Sequence, residues 1–136
     1  MKPERLRTIT VEGFRPEEIV ALPDDQVHEY VFRGDPVVFR VAELEIQGVF
    51  RREADRLVAT LTRIEPGGEA IVPSITALLS RYARMRQIAW IEWEVQADGR
   101  GGPDSPLGQL LQGRGFTLAG ADGPPLVYRL RQKIDS

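Results

Sequence analysis

The stretch Arg63-Ile64-Glu65-Pro66-Gly67-Gly68-Glu69-Ala70-Ile71-Val72-Pro73-Ser74-Ile75-Thr76-Ala77-Leu78-Leu79-Ser80-Arg81-Tyr82-Ala83-Arg84 reads as the end of a strand, a glycine turn and an amphipathic helix. Ile71, Ile75, Leu78, Leu79 and Tyr82 share one stripe at helical spacing. Arg81, Arg84 and Arg86 gather near the helix C-terminus, where the dipole favours cations. Pro73 falls in the first turn, where no intrahelical N–H bond is lost. A helix over about 70–85 is therefore predicted. The turn before it would present the N–H groups of Gly67, Gly68, Glu69, Ala70 and Ile71 to an anion such as a phosphate. Glu65 and Glu69, however, stand where a phosphate favours arginine or lysine. Two readings stay open: a phosphate site, or an ordinary strand-to-helix connection in which Glu69 serves the helix dipole as an internal anion.

Outward from this turn, the segments 37–41, 44–51 and 57–65 alternate or carry β-branched residues, with short charged turns between them, as in an antiparallel meander. Downstream, 88–96 is a further strand, with Ala89, Ile91, Trp93 and Val95 on one face and Trp90, Glu92, Glu94 and Gln96 on the other. The long helix would join 57–65 to 88–96 as a right-handed crossover between parallel strands. The amino-terminal part reads as a strand over 6–11, a short helix opened by Pro16 and stopped by Pro23, and a second short helix with Asp24 as its N-cap. After a glycine-rich loop at 98–104, Ser105 and Pro106 open a short helix with Leu107, Leu110 and Leu111 on its stripe, ending at Gly113 or Gly115. Strands at 116–118 and 126–131 close the chain.

A length of 136 residues is enough for one domain with a core of its own, and no internal repeat or linker divides residues 1–136. The net charge of −2, with acids and arginines interspersed, leaves no electrostatic footprint for nucleic acid. No apolar run is long enough for a membrane span. Met1-Lys2-Pro3-Glu4-Arg5 is followed by neither an apolar stretch nor a small-residue cleavage site, so cytoplasmic residence is the expectation. The absence of cysteine excludes disulfides, thiolate nucleophiles and zinc–cysteine sites. No metal site is expected, and homo-oligomerisation is left open.

Meander, glycine turn, long helix, strand, short helix and terminal strand, in that order from Val37 to Arg131, resemble the GNAT superfamily of N-acyltransferases. The family's pyrophosphate turn, [Gln/Arg]-x-x-Gly-x-[Gly/Ala], has its counterpart in Glu65-Pro66-Gly67-Gly68-Glu69-Ala70. Gly68 and Ala70 match it, and Glu65 does not. The family's late Tyr-x-x-x-Gly-Phe pattern has Gly115-Phe116 here, with Leu111 in place of the tyrosine that protonates the departing thiolate. The resemblance implies an α/β (α+β) fold, a GNAT-like mixed, mostly antiparallel twisted sheet with helices on both faces. It further implies acetyl-CoA or another acyl-CoA as cofactor, held at residues 67–71, and a small-molecule or protein amine as acceptor. The alternative is a non-catalytic GNAT-like domain for protein or small-ligand binding, which the acidic turn and Leu111 favour.

Glu92 and Glu94 share a strand face beside Trp90. Either would serve as general base toward an ammonium substrate if burial raised its pKa; otherwise the pair belongs to a solvated or arginine-paired strand face. His28, the only histidine, has no nucleophile-elbow motif to accompany it and reads as an ordinary helix-surface residue. Trp90 and Trp93 point to opposite faces of their strand.

Overall fold

Alternating apolar positions sort side chains to two sides of a strand, and the sheet here follows that sorting closely. The computed structural model describes residues 9–65, 67–97, 104–119 and 126–134. Its elements run β1 (Thr10–Val11), α1 (Pro16–Ala21), α2 (Asp24–Tyr30), β2 (Val37–Val41), β3 (Leu44–Glu53) and β4 (Arg56–Ile64). A 3-10 turn (Gly68–Ile71) then leads into α3 (Val72–Met85), β5 (Trp90–Ala97), α4 (Pro106–Gly113), β6 (Thr117–Ala119) and β7 (Leu126–Lys133). All seven strands form one sheet in the order β1-β2-β3-β4-β5-β7-β6. Each neighbouring pair is antiparallel except β4 and β5, which run parallel and are joined through α3. This is the mixed, mostly antiparallel sheet that the sequence led us to expect. The expected first strand is described only from Thr10 onward, and residues 98–103 of the expected loop lie outside the described residues.

The placement of the helices differs from expectation. Rather than flanking the sheet on both faces, all four described helices cover one. Ile46, Phe50, Ala59, Leu61, Ile91, Trp93 and Val95 point to that side and are buried. Ile19 of α1, Val27 of α2 and Leu78, Leu79 and Tyr82 of α3 close around Phe39 of β2 on this face. Ser80 of α3 accepts from Gln132 Nε2 at 3.0 Å, and Gln132 Oε1 accepts from Trp93 Nε1 at 2.9 Å, which pins α3 over β5 and β7. Arg114, just past α4, donates to Thr76 of α3 at 2.9 Å. The reason is topological. The crossovers β4–α3–β5 and β5–α4–β6 both step toward the same edge, and right-handed connections stepping one way put their helices on one face.

The other face, with Val38, Val49, Val58, Thr60, Trp90, Glu92 and Glu94, is only half-buried, and no described helix covers it. Its charges are laced together. Glu53 pairs with Arg51 and Arg56, Glu92 with Arg56 and Arg131, and Glu94 with Arg129. Trp90 carries the Arg131 guanidinium 4.3 Å above its ring.

Asp24 is not the N-cap expected of it. Pro23 holds that position and Asp24 is the first helical residue, its carboxylate accepting from Arg86 Nε at 2.6 Å. That bond ties the start of α2 to the end of α3. Ser105 caps α4 as expected, its hydroxyl oxygen accepting from the Gly108 N–H at 2.9 Å.

Candidate functional site

The central feature of the site is where β4 and β5 part. Their parallel ladder runs from Arg56↔Trp90 to Leu61↔Val95 and stops there, although both strands continue. At that point the β3–β4 ladder skips a residue, with Gly48 opposite Leu61 but Gln47 opposite Arg63. Thr62 is therefore the extra residue of a bulge, and its hydroxyl reaches the Gln47 carbonyl at 3.4 Å. Bulges bend and over-twist the strand that carries them. β4 thus leaves β5 at its carboxyl end, and its chain passes directly into the glycine turn. Ligands in open sheets bind at the carboxyl ends of parallel strands.

Each glycine of the turn has a reason in the fold itself. Gly67 has φ of +88°, a backbone conformation that other residues adopt only under strain. Gly68 is buried, and a Cβ on it would lie 3.2 Å from Ile64 Cγ2 and 3.5 Å from the Glu45 carbonyl oxygen. Within the turn, the Gly68 N–H bonds the Glu65 carbonyl at 2.7 Å, the Ala70 N–H bonds that of Gly67 at 3.3 Å, and the Val72 N–H bonds that of Glu69. The turn's own bonds thus consume the donors of Gly68 and Ala70 and, through the 3-10 pattern of Gly68–Ile71, that of Ile71 as well, which leaves the N–H groups of Gly67 and Glu69 of the five expected. Ile71 is buried, Glu69 half-buried and Ala70 exposed. Glu65 and Glu69 make no ion pair that would neutralise them among the described residues.

Glu92 and Glu94 lie on the half-open face away from the helices, each with about a third of its side chain exposed. Glu92 is held by Arg56 at 3.2 Å and Arg131 at 3.8 Å, and Glu94 by Arg129 at 3.7 Å. The structure therefore gives them the half-exposed, arginine-paired strand face that was the alternative reading. Of the two, Glu94 stands nearer the parting, directly before the final Leu61↔Val95 pair. Leu111 is wholly buried, and Gly115 follows with φ of +98° to turn the chain toward Phe116. His28 is exposed, edge-on to Phe32 with ring centroids 5.5 Å apart.

Two groups escaped the sequence reading. Tyr128 is fully buried opposite Val95, one strand from the parting, and burial pushes its hydroxyl pKa up. Arg114 lines an open cavity of about 520 Å³ together with Thr76, Ser80, Phe116, Leu130 and Gln132. Alternation marked Tyr128 as inward only, and no local pattern brings those cavity residues together from three separate segments. Among the described residues no cluster of acids and histidine has the makings of a metal site, and no helix is long and apolar enough to cross a membrane.

No family model matches the chain, and no curated protein matches it in sequence. Among solved structures, it is similar to Ard1 from Thermoplasma volcanium at 13% identity and a TM-score of 0.45, over 95% of this chain and 99% of that one. It is likewise similar to the ribosomal-protein-S18-alanine N-acetyltransferase of Escherichia coli at 14% identity and a TM-score of 0.45, over 94% and 95% of the two chains. Likenesses this distant carry no argument about this chain, whose fold is described by its own strand order and parallel crossover.

Proposed function

We propose that this chain is an acyl-CoA-dependent N-acyltransferase domain acting on an amine of a small molecule or protein. The observation that carries the reading is the early end of the β4–β5 ladder at Leu61↔Val95, with the bulged strand feeding a glycine turn at the start of a long helix. The donor set fits the cofactor's pyrophosphate in kind. The Gly67 and Glu69 N–H groups are outside the turn's own bonds, and the start of α3 adds its dipole. An acyl-coenzyme A, when bound, would supply an activated thioester and leave as the coenzyme A thiolate. The chain's part is to position the amine at the parting, where orientation alone lowers the barrier substantially. Glu94 is the carboxylate placed to hold an ammonium group and take up its proton, once Arg129 yields. Leu111 has no proton to give, so a departing thiolate must take one from water or another hydroxyl, and catalysis by a positioned acid, worth roughly 10²–10⁴-fold, is forgone.

Glu65 and Glu69 should weaken anion binding without abolishing it, because exposed charges act through solvent screening. The test is calorimetric titration with acetyl-CoA at low salt. Weak, salt-sensitive binding is expected, strengthened in the Glu65→Gln/Glu69→Gln double variant and lost in Gly68→Val. No heat in either the wild type or the double variant would overturn the reading. A non-catalytic binding domain would then be the better account, as the wholly buried Leu111 and the arginine-paired glutamates already favour.

A further inference from the structure

Arg114 is unusual in this chain. Most described arginines are tied to carboxylates; Arg63, Arg81, Arg84 and Arg114 make no ion pair among the described residues, and of these only Arg114 lines the cavity between α3, α4 and β7. Its guanidinium is held in place by Thr76 Oγ1, which accepts from it at 2.9 Å while its own proton goes to the Pro73 carbonyl at 2.8 Å. The remaining N–H donors of that planar fork suit an oxyanion. Across the cavity, Ser80 Oγ accepts from Gln132, whose amide is oriented in turn by Trp93, so the Ser80 hydroxyl keeps its proton to donate. Phe116 and Leu130 supply an apolar wall. One end of the cavity is cationic and rich in donors; the other suits a flat, weakly polar ring.

We infer that this cavity binds a phosphate monoester carried on a ring-bearing group, with Arg114 and Ser80 on the phosphate and Phe116 and Leu130 against the ring. Two sources share that chemistry. One is a free nucleotide. The other is the ribose 3′-phosphate of coenzyme A, in which case the inference rests on the acyltransferase reading. Arg114 would then offset the acidity that Glu65 and Glu69 bring to the turn.

The experiment titrates wild type, Arg114→Gln and Ser80→Ala with adenosine 3′,5′-bisphosphate, and with adenosine as control, at low salt. Circular dichroism confirms that each variant is folded. The bisphosphate should bind the wild type, adenosine far less, and Arg114→Gln should weaken the bisphosphate roughly 10- to 100-fold, as losing a charge-assisted contact does. Ser80→Ala should have a smaller effect. Equal affinity in wild type and Arg114→Gln, or no binding to the wild type, overturns the inference. Coenzyme A and 3′-dephospho-coenzyme A separate the sources. A preference for coenzyme A that vanishes in Arg114→Gln identifies the cofactor, whereas bisphosphate binding through Arg114 with no such preference identifies a free nucleotide. Bisphosphate binding without any acetyl-CoA binding removes the acyltransferase reading and leaves the Arg114 site standing.

Discussion

Trp90 and Trp93 sit three residues apart on β5, and one lies against core while the other lies among charges. Trp93 is 2% exposed, and its indole N–H is satisfied by Gln132 at 2.9 Å. Trp90 is half-buried on the other face under the Arg131 guanidinium. The same contrast repeats along the sheet. Leu57, Ala59 and Leu61 of β4 are buried beneath helices, while Val58 and Thr60 between them face a lattice of arginines and glutamates. What differs between the faces is the means of excluding water. One uses side-chain packing, which contributes roughly 25 cal/mol for each Å² of apolar surface removed from water. The other uses long arginine stems that cover apolar surface while their heads pair in solvent, an arrangement in which individual ion pairs contribute little.

The comparison breaks most sharply if the two tryptophans prove equivalent. Trp93→Ala should cost about 3–5 kcal/mol, because it opens a cavity and strands the Gln132 acceptor. Trp90→Ala should cost about 1 kcal/mol or less, mostly the stacked guanidinium. Urea denaturation of both variants measures the gap, and equal losses would mean that something covers the second face in solution.

A smaller effect is expected at Gly48 on the covered face. A Cβ there would lie 3.0 Å from Leu61 Cδ2 and from the Phe50 ring, so Gly48→Ala should destabilise by about 1–3 kcal/mol through overpacking. An unchanged denaturation midpoint would show the core looser than its geometry implies.

The smallest effect belongs to Asp24, where the helical layer is latched by charge. The hydrogen bond from Arg86, with the nearby Arg86 and Arg52 charges adding to it, holds the Asp24 carboxyl below its ordinary value of 3.8. A carboxyl depressed on folding stabilises the native state above its unfolded pKa, and that contribution disappears as pH falls through the folded value. Asp24→Asn should therefore be less stable than wild type near neutral pH, by ~1 kcal/mol at most since the aspartate is half exposed. The two proteins should converge as pH falls through the folded value of Asp24, which lies below 3.8. Thermal melts across that range test it, and a gap that persists in acid would assign the loss to packing of the asparagine.

These contrasts also show what the sequence could convey. The crossover was legible because Leu57, Ala59 and Leu61, and Ile91, Trp93 and Val95, alternate cleanly on either side of a long apolar stripe. The mistaken placement of helices on both faces came from weighing each strand alone. Val38, Val49 and Val58 look as suited to burial as Ile46 does, and only strand order combined with crossover handedness decides between the faces. At the site, the glycines were visible but their causes were not. Gly67 answers to its φ, and Gly68 to Ile64 and the Glu45 carbonyl, a partner on the neighbouring strand far back in the chain. Arg114 was invisible as a site residue because its meaning depends on Thr76 and Ser80 one helix away.

The skip at Thr62 makes the opening between β4 and β5 a matter of residue count more than of residue identity. Leu61 and Ile64 both reach inward-facing partners only because one residue between them is surplus to the ladder. Side chains around the opening can therefore vary with the aperture kept, so long as that spacing is preserved. Deleting Thr62 would do the reverse: it would leave the chemistry of every neighbour intact and let β4 run on beside β5, sealing the aperture by hydrogen bonds alone.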